Sequence, residues 1–289
     1  MPYSKPVTDL IRQRFSCRTY QDRPIEEESR QHLAAFASSR QRCPLGTAVR
    51  FELITATEED RSALRGLGTY GFIRGAPSFI LGAVSAGERN LEGWGYLMEE
   101  IILLATDLEL GTCWLGGTFT RSSFARKIDL RDDEMLPAVA SVGYIAARPR
   151  RLDRLIRWGA GADRRRPWED LFFEGRFGRL LSKEAAGAYA VPLEMVRLGP
   201  SASNRQPWRI VRDGGDWHFY LQRTHGYHRA GALFTSAVDL QRVDMGIAMS
   251  HFALTASEVG LEGRWAIQEP GIAKLDAFTE YVVSWVGEE

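Results

Sequence analysis

The sequence predicts an α+β fold of two related halves, and three observations lead to that prediction. Helical and strand-like segments are mixed without a regular strand–helix–strand period, which disfavours a doubly wound parallel sheet. With 289 residues, 44% of them apolar, the chain can form a large core. A long segment of the first half also recurs in the second half.

The first half combines helices with buried strands. Pro24 followed by three acidic residues is typical of a helix start, and the continuous apolar run at 77–84 is typical of a buried strand. The apolar stripe of the helix at 92–110 is broad enough to predict burial on more than one side. In chain order, the predicted segments are helices at 5–15 and 24–39, a strand at 48–55, a helix at 58–67, a strand at 77–84, a helix at 92–110 and a strand at 137–146.

A basic connector separates the two halves. Eight arginines lie between Arg148 and Arg166, interrupted by Gly and Pro. We therefore expect a first half at 1–160 and a second at 161–289, which together form one interlocked unit. The second half repeats the alternation, with helices at 184–198 and 240–260 and strands at 207–213, 216–221 and 278–286.

The recurring segment predicts a duplication. Residues 95–114 align with 246–265 without a gap, at an offset of 246 − 95 = 151. Two amphipathic helices can agree partly by chance, because both place apolar residues in the same phase. A duplicated unit could bury its long helix against its copy, as an isologous dimer does. The identical pairs are Gly95/Gly246, Met98/Met249, Leu103/Leu254, Ala105/Ala256, Leu110/Leu261 and Trp114/Trp265.

Composition disfavours several classes of function. The 37 basic and 37 acidic residues balance, which argues against a general nucleic-acid or membrane-surface role. Three scattered cysteines form neither a disulfide framework nor a metal-ligand pattern. Without a leader-like or membrane-spanning apolar run, the chain is expected to be cytoplasmic.

Two segments contain side chains that could bind a phosphate group or the edge of a planar ring. Arg14 and Arg18 flank Ser16 and could converge on one phosphate, although the spacing alone favours two solvated arginines at a turn. The loop at 199–208 gathers small and amide side chains between a helix and a strand, and its Asn and Gln could read an imide-like edge. An ordinary turn is the alternative.

Two further segments are less specific. Gly116 and Gly117 follow the long helix, and their backbone N–H groups could bind an electron-accepting ring atom or simply mark the end of the helix. The cluster Arg164–Arg166 could add phosphate charge or belong to a solvated linker.

Together these segments resemble the FMN-dependent nitroreductase family, and the resemblance covers most of the chain. The Pro-Ser segment is the most specific part, but it lies in the second half rather than near the N-terminus. The matching residues are Arg14, Ser16 and Arg18; Leu110-Gly111 and Gly116-Gly117; Gly143-Tyr144; Arg164 to Pro167; and Pro200, Ser201, Asn204, Gln206, Pro207 and Trp208.

The resemblance implies a nitroreductase-like fold of two related halves, each with a mixed or antiparallel sheet flanked by helices. In family dimers each flavin is held by segments of both subunits, so dividing those segments between two fused halves leaves one site per chain. One chain would then act as a monomeric pseudo-dimer. The implied FMN-binding residues are Arg14, Ser16, Arg18, Gly116, Gly117, Arg164, Arg166, Ser201, Ser203, Asn204 and Gln206.

The resemblance also implies roles for these residues. The arginines would bind the phosphate, the serines and Asn204 the ribityl chain and ring edge, and the Gly-Gly N–H groups the ring atoms N5 and O4. The implied enzyme is an oxidoreductase that passes electrons from NADH or NADPH to a small conjugated acceptor such as a nitroaromatic or quinone. No catalytic side chain and no metal are expected. The alternatives are a non-catalytic flavin-binding module, a flavin-free pseudo-enzyme, and a flavoenzyme with different chemistry.

Overall fold

The computed structural model describes residues 2–55, 73–116, 121–147, 164–225 and 238–288, without the side chains of 121–123. Its helices are α1 (Val7–Gln13), α2 (Glu27–Ser39), α3 (Asn90–Asp107), α4 (Arg121–Lys127), α5 (Lys183–Ala186), α6 (Ala190–Leu198) and α7 (Leu240–Glu258). Its strands are β1 (Val49–Thr55), β2 (Ser78–Ser85), β3 (Leu110–Leu115), β4 (Glu134–Met135), β5 (Val139–Tyr144), β6 (Phe172–Glu174), β7 (Trp208–Asp213), β8 (Asp216–Gln222), β9 (Gly263–Ala266) and β10 (Thr279–Gly287). The predicted helix at 58–67 and most of the connector lie outside the described residues.

The strands form two five-stranded sheets, which confirms the predicted α+β class. The front sheet has the order β1-β2-β5-β3, with β4 also paired to β2. The rear sheet has the order β6-β7-β8-β10-β9. The described pairs are antiparallel except β6 with β7, which is parallel.

The two sheets share one topology once β4 and β6 are set aside. In chain order, β1, β2, β3 and β5 correspond to β7, β8, β9 and β10, and both sets have the same spatial order and strand directions. In each half the long helix follows the second of these strands and precedes the third. This agreement supports the predicted duplication.

The long helices α3 and α7 approach each other closely at two glycines. A Cβ added to Gly95 would lie 2.5 Å from the carbonyl oxygen of Val243, and one added to Gly246 would lie 2.0 Å from that of Glu92. These contacts are reciprocal, because 92 + 151 = 243 and 95 + 151 = 246. An isologous interface has this property, since residue i of one copy touches residue j of the other and the reverse.

The sequence analysis predicted that the long helices end at residues 110 and 260, a few residues beyond their actual ends. The helices α3 and α7 end at Asp107 and Glu258, and the aligned segments continue into the strands β3 and β9. Glu109 has a left-handed φ of 61° and Gly260 a φ of 77°, so a reversal of the backbone follows each helix. The short strands β3, β4, β6 and β9 and the helix α4 were not predicted.

A single core joins the halves. Every residue of α3 except Thr106 is buried, which explains its broad apolar stripe. The largest cluster of buried apolar side chains contains Phe51 and Trp94 from the front half together with Trp208 and Phe252 from the rear half. Within the described residues, no helix combines the length and apolarity needed to cross a bilayer.

The N-terminal helix α1 crosses from the front half to the rear half. Leu10 shares a buried cluster with Met195 of α6, and Leu198 packs against it. The Glu258 carboxylate at the end of α7 accepts hydrogen bonds from the N–H groups of Val7, at 2.6 Å, and Thr8, at 3.1 Å. This carboxylate satisfies free N–H groups of the first turn, where a negative charge is also favoured by the helix dipole. The contacts fix the residue that follows α1, which is Arg14.

Glu100 of α3 makes stability depend on pH. Burial raises the pKa of its carboxyl from 4.5 to about 7, and the nearby Arg40 guanidinium opposes this only in part. The neutral form is therefore favoured by folding, and its contribution is complete below pH 4.5 and lost as pH rises through 7.

Replacing Glu100 by glutamine should remove this dependence. We expect Glu100→Gln to stabilise the protein at pH 8, relative to its effect at pH 5, by about 2–3 kcal/mol. Urea unfolding at both pH values measures this difference. Glu109→Gln is the control because the Glu109 side chain is 83% exposed. An effect of Glu100→Gln that does not change with pH would contradict the assignment.

Candidate functional site

Arg14 carries a buried guanidinium with unused donors. Its side chain is 5% exposed, and its Nε lies 3.6 Å from Oε1 of Glu99 on α3. In the described part of the chain, neither Nε nor Nη1 of Arg14 has a hydrogen-bond partner. Buried polar groups rarely lack a hydrogen-bond partner, so these two donors indicate that an anionic ligand binds beside Arg14.

Ser16 lies beside strand β3. Ser16 bridges to Thr112 in parallel, and the N–H of Cys17 donates to the Thr112 carbonyl at 2.8 Å. Arg18 Nη1 donates to the carbonyl oxygen of Ser16 at 3.3 Å. Ser16 therefore lies beside the strand that leads to Gly116, whereas the carbonyl oxygen of Arg18 accepts from the N–H of Arg74 at 2.9 Å.

Gly116 lies where the front half meets the rear half. A Cβ on this residue would be 2.5 Å from Cδ1 of Leu240, the first residue of α7. A side chain at Gly116 would therefore require the Leu240 side chain to move. Its predicted partner Gly117 lies outside the described residues.

The rear loop 199–208 has a strained backbone. Ser203, Asn204 and Gln206 have φ values of 51°, 53° and 50°, in the left-handed region that non-glycine residues rarely adopt. Ser201 Oγ accepts a hydrogen bond from the N–H of Gln206 at 2.9 Å and helps to hold this shape. Such strain is concentrated at functional sites, so the loop is a candidate ligand-binding segment.

The two amides of this loop hold the basic connector. Asn204 Nδ2 donates to the carbonyl oxygen of Arg164 at 2.9 Å, and Gln206 Oε1 accepts from the N–H of Arg166 at 2.8 Å. Arg165 of the same basic cluster, which was not among the implied FMN-binding residues, also donates to Asn204 Oδ1 at 3.4 Å. The amides therefore fix the connector against the loop, and their expected role at a ring edge stays a prediction.

The guanidinium of Arg166 stays near the loop surface. Its Nε donates to the carbonyl oxygen of Arg205 at 3.4 Å, and its Nη1 lies 4.0 Å from Oδ2 of Asp170. The Arg166 side chain is 44% exposed. Arg164 is exposed as well. The structure thus places both predicted arginines beside the Ser201–Gln206 loop.

One face of α7 brings the predicted segments together. Leu240 contacts the Gly116 position, Asp244 Oδ1 accepts from the N–H of Ala202 at 2.9 Å, and His251 Nε2 lies 3.0 Å from Glu99, the neighbour of Arg14. Spacings of four and seven residues keep these three side chains on one side of a helix, over about 16 Å. Front and rear segments therefore line a common boundary.

Asp244 anchors the strained loop from within the core. It is 3% exposed, its Oδ2 has no hydrogen-bond partner in the described residues, and burial raises the pKa of its carboxyl well above the usual range. The Asp244 carboxyl is therefore expected to be neutral, and its Oδ1 accepts the hydrogen bond from the N–H of Ala202.

If Asp244 anchors the loop through this hydrogen bond, two substitutions of Asp244 should give different results. Asp244→Asn, which keeps a neutral acceptor, should change ligand affinity at the loop by less than about threefold. Asp244→Leu removes the acceptor and should weaken binding of FMN, the ligand that the sequence resemblance implies, by about tenfold, the cost of one hydrogen bond. Fluorescence titration with FMN measures both, and equal affinities for the two variants would exclude the anchoring role.

Sequence reasoning missed Glu99, Asp244 and His251. All three are polar residues on the buried long helices, and all are at most 3% exposed. A charged or ionisable residue within an apolar helical stripe was the available signal, because such groups are rarely buried unpaired. Among the described residues there is no group of three potential metal ligands.

Comparison with known proteins identifies relatives of the whole chain. Residues 6–256 match the family described as "Putative TM nitroreductase". A "putative nitroreductase" from Thermotoga maritima is 20% identical, with a TM-score of 0.60 over 98% of this chain and 94% of that one. No curated protein matches the chain.

Two shorter relatives match about half of the chain. A nitroreductase family protein from Clostridium difficile is 22% identical, with a TM-score of 0.40 over 52% of this chain and 91% of that one. A "putative nitroreductase" in complex with FMN from Desulfovibrio desulfuricans is 24% identical, with a TM-score of 0.40 over 53% and 95% of the two chains.

Proposed function

The chain belongs to the TM nitroreductase family, and from this premise we propose that it is an FMN-dependent oxidoreductase. The proposal includes a duplicated chain, with halves at 1–160 and 161–289, that acts alone as a pseudo-dimer. Its site would take one FMN per chain at the boundary between the halves.

The buried donors Nε and Nη1 of Arg14, which have no hydrogen-bond partner among the described residues, are the observation that carries this proposal. A buried cation with two unused N–H donors suits an anionic ligand, and arginine binds phosphate oxygens through a planar fork. The strained loop lies along the same face of α7 and can supply further polar contacts. FMN combines a phosphate, a polyhydroxyl chain and a ring with an imide edge, so this donor set fits it.

We assign the binding roles by segment. Arg14 and Arg18, with Arg164 or Arg166, would bind the phosphate. Ser16, Ser201, Ser203 and Asn204 would contact the ribityl chain and the ring edge, and Gln206 would hold the loop. The backbone of Gly116 and Gly117 would donate hydrogen bonds toward the ring and favour negative charge there.

FMN, when bound, supplies the redox chemistry, and the protein orients it and excludes competing reactions. We propose NADH or NADPH as the electron donor, and a small conjugated electrophile such as a nitroaromatic or quinone as the acceptor. We assign no catalytic acid or base to a side chain of this chain.

An absorbance spectrum followed by anaerobic NADH titration tests the proposal. Freshly purified protein should show a flavin spectrum that bleaches with NADH or NADPH and recovers on adding a quinone or nitroaromatic. A flavin spectrum that neither donor bleaches would indicate a non-catalytic flavin-binding module. Colourless protein with no thermal shift on adding FMN would indicate a flavin-free pseudo-enzyme and would refute the proposal.

A further inference from the structure

Four side chains from both halves form a buried polar cluster beside the proposed site. Glu99 Oε1 lies 3.0 Å from His251 Nε2 and 3.6 Å from Arg14 Nε, and Glu99 Oε2 accepts from Trp114 Nε1 at 3.0 Å. The side chains of Glu99 and His251 are fully buried. We call Arg14, Glu99, Trp114 and His251 the boundary cluster.

The partners of His251 fix how many protons the pair holds. His251 Nδ1 lies 2.9 Å from the carbonyl oxygen of Met195, which can only accept, so Nδ1 must carry a proton. The hydrogen bond between Nε2 and Glu99 Oε1 needs a second proton, because an unprotonated ring nitrogen and a carboxylate oxygen are both acceptors. That proton belongs either to the imidazole or to the Glu99 carboxyl.

Both placements give the same charge. An imidazolium with a carboxylate sums to zero, and so does a neutral imidazole with a neutral carboxyl. The Glu99–His251 pair is therefore neutral overall, and the boundary cluster keeps the full positive charge of Arg14. The 3.6 Å separation agrees with this distribution, as does the lack of a hydrogen bond from Arg14 Nε to any described residue.

We propose that His251 is a positioning residue that keeps Arg14 available to an anion. By sharing one proton with Glu99, His251 prevents that carboxylate from becoming the full counter-ion of Arg14. The donors Nε and Nη1 of Arg14 then remain for a phosphate or another anionic group of the ligand. This inference rests on the proposed function for the identity of the ligand, FMN, and not for the protonation of the pair.

The protonation is measured directly in the flavin-free protein. The chain has five histidines, so the imidazole signals of ¹⁵N-labelled protein can be assigned by comparison with His251→Phe. We expect two protonated ring nitrogens on His251, or one on Nδ1 together with a protonated Glu99 carboxyl, because each satisfies the hydrogen bond between the two side chains. A neutral ring beside an ionised Glu99 would overturn the inference, whether or not the protein binds FMN.

A set of variants tests the consequence for Arg14. His251→Phe removes the partner that shares a proton with Glu99, so Glu99 can act as the counter-ion of Arg14, and the affinity for FMN should fall at least tenfold, the equivalent of one charge-assisted hydrogen bond. In the double variant Glu99→Gln with His251→Phe, Arg14 again has a neutral neighbour. The affinity for FMN should then recover to within about threefold of the wild type. Glu99→Gln alone should also stay within about threefold.

Rescue separates this role from a structural one. The single and double variants lose the same contact between His251 and Met195, so a purely structural defect would persist in the double variant. Failure of the double variant to recover, while folded by circular dichroism, would overturn the role of His251. Absence of FMN binding by the wild type would instead refute the proposed function and leave the protonation measurement to decide the rest.

Discussion

Replacing Arg14 by methionine is expected to remove FMN from the purified protein. The substitution keeps a long side chain but deletes the two buried donors that have no partner in the described structure. Charge-assisted hydrogen bonds contribute roughly 1.5–3 kcal/mol each, so two of them correspond to about 3–6 kcal/mol and to two or more decades in Kd. Fluorescence titration with FMN measures the loss.

The same substitution should leave the flavin-free protein at least as stable as the wild type. A buried guanidinium without hydrogen bonds at Nε and Nη1 costs desolvation, and methionine does not incur that cost. Loss of ligand without loss of stability is the signature of a residue kept for function. Arg12→Met is the matched control, because Arg12 lies on α1 with 53% of its side chain exposed. Stoichiometric FMN in Arg14→Met would show that Arg14 does not hold the ligand.

Replacing Gly246 by alanine is expected to destabilise the whole molecule. The added Cβ would lie 2.0 Å from the Glu92 carbonyl oxygen and 2.7 Å from the Tyr96 nitrogen, and both are backbone atoms that cannot rotate away. The helices α3 and α7 must then separate, which disturbs the core shared by both halves. We expect a loss of about 3 kcal/mol, the upper range for overpacked cores, and measure it by urea unfolding.

The matching position provides a second test of the reciprocal contact. Gly95→Ala should also destabilise the protein, because its Cβ would meet the Val243 carbonyl at 2.5 Å. Gly271→Ala is the control, since nothing lies within 4 Å of a Cβ there and its φ is not in the left-handed region. A wild-type unfolding midpoint for Gly246→Ala would mean that the helices do not pack as closely as described.

The sequence could predict the elements whose signals are local or periodic. The broad stripe of α3 predicted its burial, and the Gly95/Gly246 match predicted a duplicated helix that packs on its copy. The short strands β3 and β9 were missed because each directly follows a helix and has few residues in which alternation can develop. Their pairing partner is distant in the chain, so tertiary contacts decide them.

The candidate site was predictable only where a motif marked it. The segments containing Arg14 and Ser201 carried a recognisable residue order, whereas Glu99, Asp244 and His251 matter through partners in other segments. His251, for example, lies 152 residues from Glu99 in the sequence. A single polar residue in an apolar helix indicates that its side chain has a hydrogen-bond partner elsewhere in the chain. The sequence does not show which residue that partner is.

The stoichiometry of FMN binding tests the central claim most directly. If Arg14 from the front half and the Ser201–Gln206 loop from the rear half form one site, calorimetric titration of flavin-free protein should give one FMN per chain. Two FMN per chain would mean that each half has kept its own site, and none would mean that the boundary does not bind flavin; either result would contradict the account.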